Sequence, residues 1–527
     1  MRRTGKVSEE NAAVLKQVQT DGEQAIAADT NQDFSLKESI FALIFSFGGF
    51  FFIKTLLFSS AGIAGALFML CLCGVSMAFA CVSKAKHSRC SKAYFAAAVI
   101  FSANIAVSSN GLIQFLDFAF AAIMYAMWAF AVNNPCYKGA DDSVLYCLFS
   151  AVFKQSFSNM GKCPLAVLSL TKRNKSGQNI RNILIGLAAA LPVTIVVAAL
   201  LSSADDGFNR IMTSIFNGIV DNCLTDVLKY VFGLPLSFLM FGVVYAAVKN
   251  TSDSRIDLDS CRKGTMALKI APQMFMYSSV MPLCVLYVIF FCSQISYFTS
   301  AFLNRLPDGF SASEYARQGF FELCAVAVIN LAVIIVLNLF CKYNETEDGL
   351  KRPAPLKFLT VLVSVFTIVL IATAFSKMVL YISRYGLTQL RVYTSWFMVI
   401  LAVLFVMIIV RQFRKFNFAK TGTVFFTVML AALSVSQVDS LIVKYNLYAY
   451  ESGIIEEFDG YALRQLSYDS VYAFSGMLES DDEDIRKAAE FYFEECYEEK
   501  SREEWYEKSL SEFAAENISD RVAVSDR

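Results

Sequence analysis

At 527 residues the chain has room for about two or three soluble domains, yet its 56% apolar and 17% charged residues exclude an ordinary soluble protein and point to lipid as its solvent. The zero net charge hides a division: from Asp439 onward there are 23 acidic and 9 basic residues, leaving 23 acidic and 37 basic before it. A basic balance ahead of an acidic tail suits the cytoplasmic loops of a membrane protein, so no nucleic-acid partner is expected.

Residues 1–37 form a polar arm without the apolar core of a secretory signal, and read as cytoplasmic. Apolar runs of spanning length follow at 38–58, 61–83, 93–109, 111–132, 182–203, 229–249, 272–299, 318–341, 358–381, 391–411 and 422–440. They predict an all-α, polytopic helical membrane protein with about 11 transmembrane helices (about 10–12) across residues 38–440. The stretch 143–170 is interrupted by Lys154 and Lys162 and reads as amphipathic helices on the inner surface. Ser203–Lys229, with Asp205 and Asp206 near its start, reads as an N-capped amphipathic helix on the outer face.

The loops set the orientation, because Lys and Arg near helix ends are retained in the cytoplasm. Lys84, Lys86, Arg89 and Lys92 form one basic loop, and basic loops recur after the fourth, sixth, eighth and tenth runs. The intervening loops offer little beyond Arg210, Arg305, Arg317 and Arg384. This alternation puts the N-terminus inside and the tail outside. Residues 441–527 then form a small, acidic, helical extracytoplasmic domain, in which Ile485, Ala488, Ala489, Tyr492 and Cys496 recur at helical spacing.

Within the spans, Asp117 lies six residues into the fourth run, roughly 9 Å deep at 1.5 Å per residue, and is a candidate proton or ion site. Glu322, Asn330 and Asn338 fall at intervals of eight, so they spiral around one helix and each Asn is expected to bond to a neighbouring helix. Most of the 14 cysteines sit in apolar runs or basic loops, and the one histidine, His87, stands among Lys84, Lys86 and Arg89. With no pair of CxxC motifs either, neither metal nor cofactor is expected. No nucleophile elbow, phosphate loop, HExxH or dinucleotide fingerprint occurs, so no catalytic residue is assigned.

Four stretches carry a family resemblance. Ser313–Leu323 reads "SEYARQGFFEL", Arg384–Tyr393 reads "RYGLTQLRVY", and Tyr445–Asn446 opens the tail after a "SAD" at Ser203–Asp205. Together they resemble the bacterial multi-pass membrane-protein family known as domain of unknown function 4153, with its relative 4173, over about residues 90–480. The resemblance implies a multi-pass membrane protein and no particular activity.

The family-like motifs fall at the expected outer ends of the eighth, ninth and tenth helices. Arg317, Glu322, Arg384, Tyr385, Arg391 and Tyr393, with Asp205, could line an outward pocket in which guanidinium groups bind a carboxylate or phosphate. Alternatively these charges pair with one another and with free helix ends, locking the loops. With Asp117 and Asn330 as the candidate polar residues inside the bundle, three functional readings follow: an envelope scaffold or sensory partner whose tail binds another envelope protein; a transporter of a small solute, anionic in one version, suggested by Asp117, the prolines within spans and the outer cluster around Arg391; and an envelope-modifying enzyme.

Overall fold

The computed structural model describes residues 34–57, 62–133, 149–173, 225–249, 266–302, 320–342, 352–456, 458–499 and 505–525, with single residues such as Asp205 between them. Among these there is no β-strand, only an isolated bridge between Ala271 and Cys341. In chain order the membrane part comprises α1 (Leu36–Leu57), α2 (Gly62–Val82), α3 (Arg89–Asn104), α4 (Gly111–Asn133), α5 (Lys162–Arg173), α6 (Thr225–Lys249), α7 (Gln273–Phe302), α8 (Phe320–Phe340), α9 (Ala354–Tyr385), α10 (Gln389–Phe413) and α11 (Phe418–Val435). The tail follows as α12 (Val438–Glu451), α13 (Gly460–Arg464), α14 (Val471–Met477), α15 (Glu483–Glu499) and α16 (Leu510–Ser525). Among the described residues nine helices, α1, α2, α4 and α6–α11, are long and apolar enough to cross a membrane. The protein is all-α and polytopic.

Two expected spans end earlier along the chain than the sequence suggested. The run 93–109 forms the 16-residue helix Arg89–Asn104, which stops before Ile105–Val107 and the polar Ser108–Asn110 that lead into α4. The run 422–440 stops at Val435. Gln437 takes a left-handed conformation, φ 47°, and Asp439 stands in the first turn of α12, where its carboxylate finds donors off the axis of α11. The expected span 182–203, the motif 313–319 and most of Ser203–Lys229 lie outside the described residues.

The chain divides into two compact units. One holds Met1–Leu57, Gly74–Ala85 and Val152–Ser254, the other Phe58–Cys73, Lys86–Ala151 and Arg255–Arg527. In the first, Ser35 and Glu38 form a reciprocal capping box that starts α1. The helix is interrupted near Phe47 and crosses α6 so closely that a Cβ on Gly49 would lie 1.8 Å from the Gly233 carbonyl oxygen. There the Ser237 hydroxyl accepts from Gly49 N at 2.8 Å and donates to Ser46 O at 2.9 Å, bonding both sides of the break. The amphipathic α5 packs on α1, with the Ser39 and Ser169 hydroxyls 2.7 Å apart and Cys163 fully buried.

In the second unit α8 and α9 are joined at mid-length by Asn330, which donates to Thr367 Oγ1 at 2.9 Å and accepts from the Tyr287 hydroxyl of α7. Nearer one end, Arg352 donates to Asn338 Oδ1 and Gln412 Oε1, each at 3.0 Å, tying the ends of α8 and α10 to the start of α9. That end carries Lys269, Lys342, Arg352, Lys357, Arg411, Arg414, Lys415 and Lys420, and no acidic residue among those described. The opposite end holds the α3–α4 loop, the α9–α10 turn, the α11–α12 junction and the tail. The tail's buried residues, among them Phe474, Ile485, Ala489, Tyr492 and Cys496, share one apolar core with Ile113 of α4 and Leu433 of α11.

Candidate functional site

The loop Ser108–Ser109–Asn110 sits between α3 and α4 and is too polar for hydrocarbon, so its groups need partners. Asn110 turns the chain into α4: its side-chain oxygen accepts from Leu112 N at 3.1 Å and Ile113 N at 3.3 Å. Its amide nitrogen donates to Asp439 Oδ2 at 3.0 Å. Asp439 accepts as well from Gln389 Nε2 at 2.9 Å and from the backbone N–H of Ser467 at 3.1 Å, while the Ser467 hydroxyl closes the set. One carboxylate thereby joins the α3–α4 loop, the start of α10, the first turn of α12 and the tail.

A second carboxylate holds the same loop from the tail. Asp469 accepts from Ser108 Oγ at 2.5 Å, Ser109 N at 2.7 Å and Ser109 Oγ at 3.0 Å. Both aspartates are buried, Asp439 at 1% and Asp469 at 6% exposure, and among the described residues neither has a cationic partner. Neutral donors do all the compensation. Hydrogen bonds to a charged acceptor are about twice as strong as neutral ones, which suits a clamp that must hold without a salt bridge. Tyr393 packs against this core; its buried hydroxyl lies near Asn110 without a hydrogen bond of good geometry.

The turn between α9 and α10 is built by the "RYGLTQLRVY" segment itself. Gly386 ends α9 at φ +72°, and a Cβ there would lie 2.5 Å from Asn446 Oδ1, so only glycine fits. Asn446 of α12 pairs with the backbone of Leu387, accepting from its N–H at 2.6 Å and donating to its carbonyl at 2.8 Å. Arg391 Nη1 donates to the carbonyls of Tyr385 at 2.8 Å and Gly386 at 2.5 Å, and its guanidinium stacks 4.1 Å from the Tyr381 ring centroid. These carbonyls are the ones α9 leaves open at its C-terminal end.

Of the residues singled out from sequence, Tyr385, Arg391 and Tyr393 are brought to this end of the bundle. Arg384 and Tyr385 are exposed. Glu322, at the start of α8, is exposed and close enough to Lys377 of α9 for their charges to interact. Asp205 is exposed and belongs to the other compact unit, and Arg317 lies outside the described residues. Asp117 is fully buried between three helices, accepting from Asn104 Nδ2 of α3 and Ser434 Oγ of α11, both at 2.6 Å. Asn330 is fully buried at mid-bundle, away from the aspartate clamp.

Sequence reasoning missed Ser108, Gln389, Asp439, Ser467 and Asp469. The signal was present in part: an aspartate at the end of an apolar run, and a serine–serine–asparagine break between two others. In the tail, Tyr492 stacks on Phe474 with ring centroids 4.0 Å apart, and burial pushes its phenol well above the ordinary tyrosine range.

A family model described as Domain of unknown function (DUF4153) matches residues 95–475, more than two thirds of the chain. No curated protein and no solved structure matches.

Proposed function

Because the chain belongs to the DUF4153 family, whose description assigns no activity, we propose from its physical chemistry that it is a non-enzymatic scaffold or sensory partner in the cell envelope. In this reading the N-terminus is cytoplasmic and the tail extracytoplasmic. The basic end of the second unit, opposite the tail, supports that sidedness through the retention of Lys and Arg in the cytoplasm.

The observation that carries the proposal is the seating of the tail on the bundle by Asp439 and Asp469. A tail held at fixed points presents one surface steadily. On α15 that surface bears the exposed Glu483, Asp484, Glu490, Glu494 and Glu495, and a basic envelope protein is the partner it suits. The test is affinity purification after mild detergent extraction, comparing wild type with Glu490→Lys, Glu494→Lys and Glu495→Lys combined. These side chains are exposed, so the variant keeps its fold while its surface charge is inverted. Loss of one or more partners is expected; an identical set from both proteins overturns the reading.

Asp117 favours a second reading, transport of a small solute, since a carboxylate buried in a span is costly and is kept where it serves a pathway. Asp117→Asn would then weaken flux into proteoliposomes. Wild-type flux in that variant removes Asp117 from any transport pathway.

A further inference from the structure

Trp505 exposes 64% of its surface and Leu510 53%. Exposed apolar side chains are commonplace when scattered singly. What sets these two apart is the level at which the backbone holds them. The carbonyls of Lys508 and Tyr506 accept from Ile63 N at 3.0 Å and Ala64 N at 2.8 Å, in the first turn of α2. Leu510 N then donates to Ala106 O at 2.8 Å and Ser511 N to Val107 O at 3.3 Å, just beyond α3. The segment is therefore pinned to the start of a membrane-crossing helix and to the end of the helix antiparallel to α4.

Exposed apolar side chains of α2 and α4 begin at the same level. Leu67 lies one turn past Ile63, and Leu112 and Phe115 stand in the first turns of α4, all three exposed. Lys508 is drawn inward onto Glu516 at 2.5 Å, which leaves the indole and the leucine as the large apolar groups facing out. An indole has an apolar body and a polar N–H, and it partitions to the boundary between headgroups and acyl chains. We propose that Trp505 and Leu510 form an interfacial anchor, through which the tail rests on the bilayer as well as on the bundle.

Three tryptophans occur in the chain, so the emission of Trp505 is isolated by subtracting the spectrum of Trp505→Phe from that of wild type, both full-length and reconstituted in vesicles. The substitution is at an exposed side chain and leaves packing intact. Lipid brominated near the headgroup end of its chains should remove most of the difference emission, lipid brominated near the terminal methyl less of it, and aqueous iodide least. A difference emission untouched by bromolipid, or quenched more by the deep bromine than the shallow, overturns the anchor.

Discussion

Asp439 accepts from Asn110, Gln389 and Ser467, so every group facing its carboxylate is a donor. Asp439→Asn keeps the shape but turns an N–H₂ toward those donors, leaving at least one buried group unsatisfied. The expected cost is about 2 kcal/mol, read as a lower midpoint of thermal unfolding in detergent. Asp469→Asn should cost a similar amount, because Ser109 offers it a backbone N–H and a hydroxyl at once. At the α9–α10 turn, Gly386→Ala combines a disfavoured φ with a Cβ 2.5 Å from Asn446, and about 1–3 kcal/mol of stability should be lost in the same assay. Arg391 was legible in the sequence as a member of a motif and, in the alternative reading, as a partner of a free helix end; the two carbonyls it takes were not. Its two carbonyl acceptors arise only once Gly386 reverses the chain, and charge pattern alone does not reveal that.

Among elements, the apolar runs and the tail's helical spacing were legible because burial follows period. Ile485, Ala488, Ala489, Tyr492 and Cys496 all turn inward on α15. The docking of that helix group was not legible, since its hydrogen bonds reach a loop some 360 residues earlier in the chain. Where α11 ends was misread for a related reason: hydropathy carries an apolar run past Val435, whereas Asp439 demands partners that lie off the helix axis. Asn330 shows the opposite case, a polar residue whose expected bond to a neighbouring helix is made, to Thr367. Asn330→Leu should therefore cost only about 1 kcal/mol, measured by unfolding in mixed micelles, because polar contacts between membrane helices contribute modestly.

For the molecule as a whole, the second unit is polarised, with lysine and arginine at one end and the aspartate clamp and acidic tail at the other. If the basic end faces the cytoplasm, a cysteine placed after Arg527 reacts with an impermeant maleimide in intact cells, while one at Phe416 in the basic α10–α11 loop does not. Equal labelling of both, or the reverse pattern, would refute the proposed sidedness. Deleting residues 505–527 should lower the unfolding midpoint of the membrane part as well, since Ile63, Ala64, Ala106 and Val107 lose their partners.

That last dependence bears on how the protein is made. Ribosomes deliver the chain from the N-terminus, so α2 and α3 are made long before the segment that closes their open ends has been translated. Their first amides and final carbonyls must wait, with water or an assembly factor as temporary company, until more than four hundred further residues have been synthesised, by the distance from Val107 to Ser511. A premature stop late in the message would thus strike the earliest helices, and biogenesis would fail at the beginning of the fold for want of its end.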